Sequence, residues 1–315
     1  MKNGNARFAF YLEQLEKLMV ETAKQNDPAL WLYQNNARTP LFMVEGLAKL
    51  YSGLHNKKRF EKLDAQFKPL EDALGMIDYY DGFAKQFSQD KAVSADITKF
   101  AGSKSFEKTG TLNDLLIKKG WIGKGADRLS KIREKLGDAN WLDEKPEIKA
   151  IESFYRGSID KINAFAKTYQ SGFTELETQV HELRRKLRWL SIYPQALRGC
   201  IQLNETPSND KNVAKYLVPE IVNSPFNKMP PAGTNRYILM FNKDYFLALS
   251  WMIAELGKLK DQGLRTVVLT EAGKTSKTDA KNNAAILSKA TEITRTFFAE
   301  KNLDKLLSGI VKIDA

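Results

Sequence analysis

The chain has 315 residues, 43% of them apolar and 28% charged, a folded composition that excludes disorder for its bulk. Its 49 Lys and Arg against 38 Asp and Glu leave a formal charge of +11, which favours anionic partners without choosing among them. One cysteine, Cys200, and two histidines exclude an internal disulfide and a His/Cys zinc site, and no apolar run approaches the ~18 to 20 residues of a membrane span. The N-terminal segment turns polar before any apolar run of signal-peptide length, so the expected location is cytoplasmic.

In chain order, apolar residues recur at spacings of three and four, and strand-like alternation is scarce. The pattern predicts an all-α fold with helices over 7–24, 38–54, 60–86, 126–137, 146–168, 173–193, 239–260 and 279–299, with shorter ones between. Pro40 falls in a first turn, where its missing N–H is harmless, whereas Pro194 is expected to stop or kink the helix before it. Two stretches break the periodicity. Residues 101–125 carry five glycines, and 204–236 contain Pro207, Pro219, Pro225, Pro230 and Pro231, so both read as long connections, the second with room for a short helix at 211–223. Thr266-Val267-Val268-Leu269 is the one plausible strand.

A loose internal repeat divides these elements into two similar bundles, 1–140 and 141–315. In the first, a helix headed by Arg38 precedes one containing Leu74-Gly75-Met76-Ile77-Asp78. In the second, a helix headed by His181 precedes, after the Pro-rich stretch, Leu256-Gly257-Lys258-Leu259-Lys260-Asp261. Each half reads as a basic helix, a connector and a helix with an Asp soon after Leu-Gly.

The residues with the clearest chemistry lie in the second of these. At about 100° per residue, Val180, Leu183, Leu187 and Leu190 form an apolar stripe, and His181, Arg184, Arg185 and Arg188 share a neighbouring arc at i, i+3, i+4 and i+7. Like charges so spaced oppose helix formation by roughly 0.2 to 0.5 kcal/mol per pair, which an anion would relieve. The planar guanidinium suits phosphate because it grips two oxygens at once. The plainer reading of such a run is a solvated face, or arginines that pair with carboxylates on neighbouring helices.

His181-x-Leu183-Arg184-Arg185-x-x-Arg188-x-Leu190 resembles the signature helix of the conserved histidine α-helical domain (CHAD) family, and Leu256-Gly257-x-x-x-Asp261 is similar to that family's later Leu-Gly element. The resemblance extends from about Ala6 to Ser308. It implies tandem helical bundles that bind inorganic polyphosphate, with His181, Arg184, Arg185, Arg188 and, in the first bundle, Arg38 as the polyanion-binding residues. The first copy departs from the pattern: Asn35 stands in place of histidine, Phe42, Met43 and Glu45 replace basic positions, and Glu45 would repel phosphate. In the second copy Ser191 replaces a further basic residue.

Other segments carry less. Leu269 to Thr275 ends like a phosphate-binding loop, but Val268 stands where that motif needs glycine, so an ordinary turn is expected. Gly120, Gly123 and Gly125 lack a preceding strand and make no dinucleotide fingerprint. His55 reads as exposed in an interhelical loop beside the basic Lys57-Lys58-Arg59. Cys200 is expected to pack. No serine elbow accompanies either histidine, and Glu175-x-Glu177-x-Gln179 lacks the lysine of the triphosphate-hydrolysing tunnel enzymes to which CHAD domains are joined, so no catalysis, cofactor or metal is expected. The sequence thus points to non-catalytic binding of inorganic polyphosphate or another polyanion. The alternative is a helical protein-interaction scaffold that has lost the anion site, and nucleic acid ranks third.

Overall fold

A computed structural model describes residues 2–273 and 277–313. The chain divides into two compact units, Met1–Leu142 and Asp143–Ala315. Helices dominate both, as the periodicity predicts, and among the described residues none is long and apolar enough to cross a membrane.

The first unit contains α1 (Asn3–Thr22), α2 (Pro28–Gln34), α3 (Arg38–Leu54), α4 (Lys57–Gln89), α5 (Ala95–Lys118) and α6 (Arg128–Gly137). Helix α2 starts where Pro28 has no N–H to satisfy and the Asp27 carboxylate accepts from Leu30 N–H at 3.1 Å. Helix α3 ends at His55, and Asn56, in the left-handed region at φ 50°, turns the chain into α4. The core is an aromatic cluster. Phe8, Tyr51 and Phe60 are fully buried, and Trp141 closes over them with ring centroids 5.3 to 5.8 Å away, tying the end of the unit back to its beginning. His55 meets Trp141 edge-on at 5.7 Å and is half-buried, so it belongs to this cluster and not to an exposed loop as expected.

The expected connection over 101–125 is mostly helix α5. Ile97, Ala101, Leu112 and Leu116 are buried at helical spacing and outweigh the glycines. Gly102 and Gly110 lie within the helix, and only Gly120, Gly123 and Gly125, at φ 68°, 97° and 79°, make the turn that follows.

The second unit begins with α7 (Glu144–Thr168). A π-helical turn, Leu176–His181, runs into α8 (Glu182–Ala196), followed by β1 (Ile201–Asn204), α9 (Pro219–Val222), β2 (Tyr237–Asn242), α10 (Lys243–Glu271), α11 (Lys277–Ala299) and β3 (Leu307–Lys312). The sheet has the order β1-β2-β3. β1 pairs parallel with β2 in the register Ile201↔Leu239, and β2 pairs antiparallel with β3, Ile238↔Val311. Tyr155 of α7 packs edge-on to Phe241 of β2 at 5.0 Å. Residues 204–236 form the expected long connection, holding only α9 and the 3₁₀ turns Ala214–Tyr216 and Pro225–Asn227.

Three expectations fail here. Thr266 to Leu269 is helical, because Leu264 and Val268, four residues apart, are both buried in α10, and packing overrides β-branched propensity. Residues 239–242, expected to open a helix, are strand, since Ile238, Leu239 and Phe241 are buried in the sheet. Pro194 does not stop α8 before it; the helix runs on to Ala196, with Tyr193, Pro194 and Ala196 all buried.

Candidate functional site

The geometry of α8 is set by its apolar stripe. Val180, Leu183, Leu187 and Leu190 are at most 1% exposed, which turns the neighbouring basic arc toward the edge of the packed layer. The π turn ahead of it is fixed by Leu176, whose Cδ2 would lie 2.3 Å from a Cβ on Gly263, and by the Gln179 side-chain oxygen, which accepts from Thr174 N–H at 2.8 Å and Glu175 N–H at 3.1 Å. Glu175, Glu177 and Gln179 thus belong to the approach to α8.

The four predicted residues of the arc have different surroundings. His181 Nδ1 lies 2.9 Å from Glu177 Oε2, and this bond with the imidazole holds the Glu177 carboxyl below its ordinary pKa. Arg185 is exposed and pairs with Glu182 on its own helix. Lys186 also reaches Glu182, at 3.0 Å, and lies over the Phe165 ring at 5.2 Å. Arg188 is half-buried, and its carbonyl accepts from Ser191 Oγ at 2.9 Å.

Arg184 differs from its neighbours. Its Nε donates to the main-chain carbonyl of Ile253 on α10 at 3.2 Å, and the guanidinium lies against Gly257, where a Cβ would stand 2.9 Å from Nε. Burial pushes the Arg184 pKa below its ordinary value, and Asp261 opposes the shift through its field without forming an ion pair. A cation partly stripped of water, bonded to a carbonyl and reached by a carboxylate only through its field, favours the approach of an anion.

Arg38, the predicted contact of the first unit, has the same seat but is already answered. Its guanidinium lies against Gly75, with Nη2 3.4 Å from where a Cβ would be. Nη2 donates to Glu71 Oε1 at 2.9 Å and Nη1 to Asp78 Oδ2 at 2.7 Å, while Phe42 lies below at 5.2 Å. Glu45, expected to repel phosphate, is only 2% exposed and pairs with Lys49 at 3.2 Å; burial raises its pKa.

Strength separates these pairs. Exposed i,i+3 and i,i+4 pairs such as Arg185–Glu182 contribute about 0.2 to 1 kcal/mol and are readily exchanged for another anion. Arg38 is held at both ends of its fork, and Glu71, only 10% exposed at its side chain, would exchange that 2.9 Å bond for the more distant Lys68, at 3.9 Å, if Arg38 left it. His181 ends the π turn and Arg184, Arg185 and Arg188 follow it on α8, whereas Arg38 is committed within its own unit to Glu71 and Asp78.

The sequence reading singled out the Leu-Gly element at 256–261 without assigning its side chains a part. Gly257 seats Arg184, and the field of Lys260 reaches Glu177, the partner of His181. The signal was the Gly one turn before a lysine on the helix facing α8.

Of the weaker motifs, Gly273 makes a turn at φ 73° after α10, while Lys274 and Thr275 lie outside the described residues. Lys57, Lys58 and Arg59 open α4, and Cys200 is buried. Trp189 stacks on Tyr193 at 5.7 Å and 20°. No group of three or more His, Cys, Asp or Glu that could hold a metal ion occurs among the described residues. In comparisons with protein-family models, with curated proteins and with solved structures, nothing matches the chain.

Proposed function

We propose that the protein binds inorganic polyphosphate, or a polyanion of like charge spacing, without chemical turnover and in the cytoplasm. The contacts are His181, at the end of the π turn, and Arg184, Arg185 and Arg188 on α8. Arg38 takes no part, because Glu71 and Asp78 already occupy its fork. The observation that carries this reading is Arg184, a part-buried guanidinium whose hydrogen-bond acceptor among the described residues is the carbonyl of Ile253. Around it, Arg185 and His181 exchange weak pairs on their own helix for phosphate oxygens, and affinity falls with salt as counterions are released.

Calorimetric titration of the full chain with polyphosphate at low ionic strength tests this. Arg184→Ala/Arg185→Ala/Arg188→Ala is expected to lose at least tenfold in affinity, and Arg38→Lys to bind as the parent does. No binding by the parent, or undiminished binding by the triple variant, overturns the proposal.

The second reading, a protein-interaction scaffold, is favoured by the carboxylate partners of Arg38, His181 and Arg185. It gains if the parent binds no polyphosphate while the triple variant keeps its fold. Nucleic acid ranks below both, since Trp189, the aromatic beside the basic arc, is stacked on Tyr193 and does not stand ready for a base.

A further inference from the structure

The two arginine seats correspond position by position. Arg38 of α3 rests on Gly75 of α4, and Arg184 of α8 rests on Gly257 of α10. The stripes beside them match as well: Ala37, Leu41 and Val44 stand as Leu183, Leu187 and Leu190 do, and Leu74 as Leu256, all at most 1% exposed. Counting from the glycine, Glu71 occupies the place of Ile253, four residues before it, and Asp78 the place of Lys260, three residues after it. The two acids that hold Arg38 are thus exchanged, around Arg184, for an isoleucine and a lysine. At one of the two places the charge is reversed.

We propose that Lys260 is a further anion contact, forming with Arg184 a two-point grip seated on Gly257, at the place where the first unit supplies its own oxygens from Glu71 and Asp78. The inference rests on the polyanion reading and extends it. The ligand presents at least two anionic oxygens, one for each cation, which successive phosphates of a chain provide.

Lys260 is placed for this. It lies on the same face of α10 as Ile253 and Gly257, at i+7 and i+3. Its field reaches Glu177, which bonds His181, so its charge acts at the predicted site. Its present partner is the neighbouring Asp261, at 2.6 Å; the Asp261 side chain is 69% exposed and that of Lys260 17%, so an incoming phosphate replaces the carboxylate from its solvent side. Gly257 is the positioning residue: a Cβ there meets the guanidinium and turns it off the seat.

Two measurements on the full chain decide it. In the first, polyphosphate is titrated into the parent, Lys260→Asp, and Lys289→Asp, which makes the same charge change at an exposed site on α11. Lys260→Asp is expected to lose at least tenfold in affinity and Lys289→Asp less than threefold. Equal losses in the two variants overturn the inference and leave the proposed function standing. No binding by the parent removes the proposed function, and the second measurement then decides the correspondence. Nuclear magnetic resonance follows solvent exchange of the Arg184 guanidinium protons in Ile253→Glu/Lys260→Asp, which copies the first unit. Exchange at least tenfold slower than in the parent is expected if the two seats are equivalent, and unchanged exchange overturns the correspondence.

Discussion

At Gly4 a hydrogen is the only side chain that fits, because a Cβ would stand 2.5 Å from Trp141 Cε3 and 2.8 Å from the Tyr51 hydroxyl, both part of the packed aromatic core. Gly110, inside α5, has nothing within 4 Å of that point. The same substitution therefore has opposite signs at the two positions. Gly4→Ala is expected to lower the urea-unfolding free energy by about 1 to 3 kcal/mol through overpacking, and Gly110→Ala to raise it by ~0.8 to 1 kcal/mol through helix propensity. Equal effects from both would contradict the packing described around Trp141. At this scale the sequence singled out the arginines but not their partners. Whether Arg184 faces a carbonyl and Arg38 two carboxylates depends on Ile253, Glu71 and Asp78, residues 33 to 69 positions away that only the folded chain brings close.

Among the elements, periodicity carried the reading where one face is buried and failed where burial is two-sided or glycine intervenes. Helix α3 spans 38–54 as expected, since its stripe and its Pro40 leave few other choices. The sheet was not legible. Tyr237 to Phe241 is a continuous apolar run, which a buried strand and a buried helix share, and β1 and β3 are short. The long excursion after β1 was legible from its prolines, but not the clamp that holds it. Asp210 accepts from Lys305 Nζ at 2.7 Å and from the Tyr245 hydroxyl at 3.1 Å, and Ser208 N–H donates to Asp244 at 2.8 Å.

The hydrogen bond from Lys305, followed by one from Asn212 N–H, draws the Asp210 pKa down to about 2 from its ordinary 3.8. A carboxyl whose folded pKa is depressed stabilises the fold above its unfolded pKa and loses that contribution as pH falls through the folded one. The clamp is therefore complete above pH ~4 and lost between about 4 and 2. Unfolding midpoints of the parent and Asp210→Asn are expected to differ at pH 6 and to converge toward pH 2. A constant difference across that range would contradict the assignment.

For the whole molecule, composition fixed much of the outcome: a helical chain with a surplus of positive charge that falls in both units. What charge alone does not reveal is that Arg38 is bonded to two carboxylates, whereas Arg184 is bonded to a carbonyl and reached by Asp261 through its field. The proposed site rests on that asymmetry, because a fork already bonded to Glu71 and Asp78 takes a second anion by giving up those bonds, which leaves the buried Glu71 with the more distant Lys68. Hydrogen–deuterium exchange of the full chain, with and without polyphosphate at low ionic strength, reads both units in one measurement. The account expects slower amide exchange in α8 and in the stretch of α10 around Gly257, with α3 and the Gly75 region of α4 unchanged. Protection centred on Arg38, or none in α8 at saturating polyphosphate, would contradict it.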